Sequence, residues 1–126
     1  MHLTLQMLLE ENHTTFLPDD EKAFLIRVQL SNSKGYDGLH EVMELEGFER
    51  KVKDMAGRVR DLPHSTYFIA GQPENSTPKS IHSRVKKAVI KHKVQSNQPD
   101  VTAQIIVVSV GDAWFELEET QEAQEV

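Results

Sequence analysis

The chain has 126 residues, enough for one domain with a real core and too few for two ordinary ones. It contains no cysteine, which excludes disulfides, thiolate zinc sites and cysteine nucleophiles. Its net charge of −6 is unevenly spread: residues 1–49 carry 3 basic and 10 acidic groups, residues 50–96 carry 11 and 3, and residues 97–126 carry 0 and 7.

A basic centre between acidic ends has two readings. The ends and the middle can neutralise one another, within one surface or between subunits, or the centre can face a polyanion. The apolar run Leu3 to Leu9 lacks a basic flank and a small-residue cleavage site, and no 18 consecutive residues are apolar. A cytoplasmic protein without a membrane span is expected.

In chain order, residues 1–22 commit to no period and read as an appendage, either a short docking helix or an upstream start. Ala23 to Leu30 alternates, with Phe24, Ile26, Val28 and Leu30 on one side and Leu25, Arg27 and Gln29 on the other, which predicts a strand. Tyr36, Leu39, Val42 and Met43 recur at helical spacing until Gly47 stops the run. Residues 48–70 read as a hairpin, with Phe48, Arg50 and Val52 on one face of its first arm. Pro63 interrupts the second arm, leaving Ser65 to Ala70 as the strand proper and Gly71 to Ser76 as a loop.

Thr77 to Lys93 reads as a capped helix, with Pro78 at its first position, six Lys or Arg and no acid. Ile81, Val85, Ala88 and Val89 form its packing stripe; Ile90 and Val94 lie off it, so either the helix frays near Lys91 or something covers its outer side. Val101 to Val110 is the most strand-like window, and Ile105 to Val108 predicts burial on much of both faces. Ala113 to Leu117 adds a short last strand or cap, and residues 118–126 form an acidic tail.

The order β, α, β, β, α, β predicts an α+β, ferredoxin-like domain over residues 23–117. Its antiparallel four-stranded sheet has both helices on one face, with a short extra C-terminal strand. Leu25, Tyr67 and alternate residues of Val101 to Val110 are expected to line the helix-free face and to pair there with a second copy as a homodimer.

Several segments resemble a known family. Phe24-Leu-Ile-Arg-Val28, Tyr36, Leu39, Met43, Gly57-Arg-Val-Arg-Asp-Leu62, Ser65-Thr-Tyr-Phe-Ile69 and Ala113-Trp114 are similar to the small ferredoxin-like proteins grouped with the CRISPR-associated endonucleases. Within that group, Ser-Thr-aromatic and Ala-Trp resemble the SinR-like proteins, and Gly-x-x-Arg-x-Leu resembles the GhoS-type endoribonuclease antitoxins. The resemblance implies a dimer that handles RNA and has a toxin or other protein as a further partner. In the endonuclease branch an aspartate near the end of the first strand binds a metal; here Val28-Gln-Leu-Ser31 offers no carboxylate, so no metal or other cofactor is expected.

The histidines, at 2, 13, 40, 64, 82 and 92, show no paired metal-ligand spacing, and the glycines are dispersed rather than gathered into a phosphate loop. His64, close after Arg58 and Arg60, is a candidate for acid–base chemistry, against a reading in which Pro63 and His64 make a turn. Arg27, on the helix-free side, joins His64 as the second candidate catalytic residue; its alternatives are an ion pair across the dimer or an RNA phosphate. Arg50, Lys51, Lys53, Arg58, Arg60, Arg84, Lys86, Lys87 and Lys91 are the expected RNA contacts. The expected function is RNA binding, with metal-independent cleavage of the antitoxin kind, against a non-catalytic dimer acting as an interaction or regulatory module.

Overall fold

The computed structural model describes residues 13–15, 21–53, 56–114 and 117, and of 13–15 and 112–114 it describes the backbone. In chain order the elements are β1 (His13–Thr15), β2 (Glu21–Ser31), α1 (Asp37–Leu45), β3 (Lys51–Lys53), β4 (Val59–Asp61), β5 (Thr66–Pro73), α2 (Pro78–Gln95), β6 (Thr102–Val110) and β7 (Asp112–Trp114). The rest of the expected appendage, and the acidic tail from Glu118, lie outside the described residues. Among the described residues no helix is long and apolar enough to cross a membrane.

The alternation of the first long strand organises the fold. Phe24, Ile26, Val28 and Leu30 are buried on one face of β2, which is the centre of an antiparallel sheet in the order β5–β2–β6. Both helices cover that face. Leu39, Val42 and Met43 of α1, and Ile81, Val85, Ala88 and Val89 of α2, join the β2 residues in one core, as their spacing predicts. The helices pack closely where Gly38 faces His92; a Cβ at Gly38 would stand 3.0 Å from the imidazole. α2 starts as expected, with Thr77 and Ser80 bonding reciprocally in a capping box, but it does not fray near Lys91.

Four expectations are corrected. Tyr67 does not line the helix-free face: it pairs with Ile26 in register, directly opposed residues share a face, and both are fully buried under the helices. Phe68 takes the opposite side, with Ala23 and Val52. β5 runs on through Pro73, where a loop was expected, because Glu21 and Lys22 extend β2 to pair with it past a bulge. β6 is buried on neither face throughout. It is an edge strand whose Ala103, Ile105 and Val107 meet the core, while Ile106 and Val108 remain 62% and 44% exposed on the other side.

The fourth correction concerns the first arm of the hairpin, which does not run as one regular strand. Phe48 belongs to the helix-side core and Val52 to the opposite cluster, whereas residues four apart in a strand share a face. The chain therefore changes sides between them. Glu49 exchanges backbone bonds of 2.7 Å with Phe68 of β5, and the ladder of β3 with β4 starts only at Lys51. In a separate two-stranded sheet His13–Thr15 pairs antiparallel with β7, so this part of the appendage is a strand.

Candidate nucleic-acid interface

The change of side at residues 48–52 carries the β3–β4 hairpin away from β5 and opens a groove of about 820 Å³. Its floor includes Phe48, Val52 and Phe68, and its rim carries Arg50, Lys51 and Lys53. Arg50 Nε donates to Glu44 Oε1 at 3.1 Å and Lys51 Nζ to Asp61 Oδ1 at 3.0 Å. Both pairs are close to half exposed, so each contributes at most about 1 kcal/mol and yields readily to a competing anion.

The other expected RNA contacts divide by what they touch. Lys86, Lys87 and Lys91 are exposed on the outer face of α2, as is Arg58 beside the hairpin. Arg60 Nη1 donates to the Leu117 carbonyl at 3.0 Å and ties that residue to the hairpin. Arg84 acts as a structural clamp. It donates to Gln72 Oε1 at 2.7 Å and to the Glu46 carbonyl at 3.2 Å, and its guanidinium lies 5.3 Å from the centre of the Phe48 ring.

The two candidate catalytic residues are not brought together. Arg27 is exposed on the helix-free face between Thr66 and Ile106, whereas His64 sits at the tip of a turn beside α1. That turn is closed by Thr66 N–H donating to the Pro63 carbonyl at 3.1 Å, with Ser65 in the left-handed region at φ 64°. The turn reading of Pro63 and His64 therefore holds, and it also presents the imidazole. His64 stands edge-on to Tyr36, with ring centres 4.5 Å apart, and 6.0 Å from the ring of His40. Tyr36 is itself fixed, its hydroxyl accepting the Leu30 N–H at 2.9 Å.

His40 is the cleft residue that sequence reasoning does not single out. Its place among Tyr36, Leu39 and Met43 on the apolar spacing of α1 is the signal that could have found it. His40 Nδ1 lies 2.6 Å from the hydroxyl of the fully buried Tyr67. Burial pushes the Tyr67 phenol up, so it stays protonated. It has no other side-chain partner among the described residues, so its O–H donates to Nδ1 and spares a buried donor left unpaired. Neutral His40 then carries its proton on Nε2. Burial, with Arg50 and His64 adding to it, holds His40 below the ordinary histidine range and favours that neutral form.

His40, His64, Arg50, Lys51, Asp61 and Ser65 line one cleft of about 270 Å³. Compared with protein-family models, characterised proteins and solved structures, the chain matches none.

Proposed function

We propose that the chain is an RNA-binding protein of ferredoxin-like architecture that contacts phosphates through α2 and the β3–β4 hairpin. The observation that carries this reading is the outer face of α2, which presents Lys86, Lys87 and Lys91 to solvent on a helix without an acidic residue. The Arg50–Lys53 rim adds a second basic surface beside an apolar floor. The architecture is supported by the sheet order β5–β2–β6, which the Glu49–Phe68 bridge extends by the segment before β3.

A salt titration of single-stranded RNA binding tests the reading. Each phosphate contacted steepens the fall of log affinity with log salt by about 0.7, so several contacts give a slope of roughly −2 or steeper. Absence of binding at low salt overturns it.

A second copy is the proposed partner of the helix-free face, where the exposed Ile106 and Val108 lie beside Leu25 on neighbouring strands. Sedimentation is expected to give a dimer, and Ile106→Lys a monomer; a parent protein that is monomeric at high micromolar concentration removes this part of the proposal. Binding is favoured over cleavage because His40 Nδ1 is engaged by Tyr67, so the neutral ring offers a donor and no free base. Arg27, on the far face, supports no second catalytic group beside His64.

A further inference from the structure

We propose that the cleft between α1, the Pro63–Thr66 turn and the β3–β4 hairpin is a binding site for one phosphate group, with His40, His64, Arg50 and Lys51 as its donors. The proposal rests on the RNA-binding reading for the source of that phosphate, and it assigns the cleft a role that general electrostatic attachment does not need.

Three observations carry it. The first is donor convergence. His40 lines the cleft and commits Nδ1 to Tyr67, which leaves the proton of the neutral ring on Nε2. His64, Arg50 and Lys51 line the same space, with Arg50 and Lys51 held in half-exposed pairs with Glu44 and Asp61 that an entering phosphate displaces. The second is rigidity. Tyr67 fixes His40 from the core, and Tyr36, itself bonded to the β2 backbone, packs against His64. The two imidazoles are thus positioned before a ligand arrives, which lowers the entropic cost of binding. The third is size. At about 270 Å³ the cleft falls just below the roughly 300–1,000 Å³ of pockets that enclose drug-sized ligands, so it suits a phosphate with its sugar rather than a folded helix.

The titratable and charged groups around His40 are Arg50, His64, Asp37, Glu44 and the phenols of Tyr36 and Tyr67. Arg50 and His64 oppose a proton on His40, Asp37 and Glu44 favour one, and burial decides for the neutral form. A phosphate placed among these groups adds negative charge at the imidazoles. It therefore opposes the burial that keeps His40 neutral, and by linkage binds more tightly as pH falls from 8 toward 6.

The experiment follows the histidine C2 proton signals by NMR at constant ionic strength. The additions are inorganic phosphate, a 5′-phosphorylated short single-stranded RNA and the same RNA without the terminal phosphate. The His40 and His64 signals are expected to move, and that of His40 to titrate at higher pH, with His82 and His92 unmoved as internal controls. His64→Ala, at an exposed turn position, is expected to weaken inorganic phosphate about tenfold, the worth of one charge-assisted hydrogen bond. A preference for the phosphorylated RNA identifies a strand end as the source. Equal shifts with both RNAs, reversed by inorganic phosphate, identify a backbone phosphodiester, and both results uphold the site.

Unmoved His40 and His64 signals with every ligand overturn the site, and RNA binding in the same samples leaves the function standing. If inorganic phosphate moves both signals while neither RNA binds, the site holds and the RNA reading fails.

Discussion

The bond from Tyr67 to His40 couples two buried polar groups that are worth little while paired and costly once one is removed. Tyr67→Phe keeps the ring and strips the donor, leaving His40 Nδ1 facing the core. We expect a loss of about 1–3 kcal/mol in urea denaturation, with the sheet intact by circular dichroism. His40 and His92 also make stability depend on pH. Burial holds both below the ordinary histidine value of 6.5, so near and just below that pH the unfolded chain binds more protons than the folded one. Their contribution is full above pH 6.5 and is lost as pH falls through 6.5 toward the folded values. The expected slope is up to about 1.4 kcal/mol per pH unit for each group. His92 Nε2 is buried without a partner among the described residues, so His92→Leu should flatten the profile between pH 7 and 5. An unchanged acid profile in that variant would place the proton uptake elsewhere.

At the scale of the element, α2 depends on its first turn and on one clamp. Thr77→Ala removes the acceptor of the Ser80 N–H at 3.1 Å and should cost about 1 kcal/mol, read as a lower thermal midpoint. Arg84→Ala removes the contacts to Gln72, Glu46 and Phe48 together, and about 1–2 kcal/mol is the expected loss in the same measurement. Sequence alone groups Arg84 with the lysines that follow it, because periodicity places it off the apolar stripe without showing what stands opposite. Ile90 and Val94 make the complementary point. They lie off the stripe and are 51% and 75% exposed, yet α2 continues past them to Gln95, held by the buried residues on its other face.

At the scale of the whole molecule, the basic band is displayed on the outer face of α2. Charge reversal at Lys86 and Lys87 should weaken RNA binding more than reversal at Glu118 and Glu119, with a salt slope shallower by about 1.4 if both lysines contact phosphate. Both lysines are exposed, so stability should change by less than about 0.5 kcal/mol, and circular dichroism on the same samples checks it. Unchanged affinity in the folded variant would assign the basic band to docking or solubility.

The alternation of β2, the α1 and α2 stripes, the Thr77 cap and the Pro63 break were all legible in the sequence. Each depends on local geometry, namely the strand period of 2, the helix period of 3.6, a side-chain cap and a missing N–H. Those signals tell which side of an element seeks the interior, but not what it meets there. Period alone therefore puts Tyr67 on the wrong face, since its register with Ile26 sets the side, and it cannot place Phe48 and Val52 on opposite sides of the sheet. His40 and Tyr67 are 27 residues apart and meet only because α1 packs on the face that β5 shares with β2. The tautomer of His40, its closeness to His64 and the cleft between them are products of that packing, which no local pattern encodes.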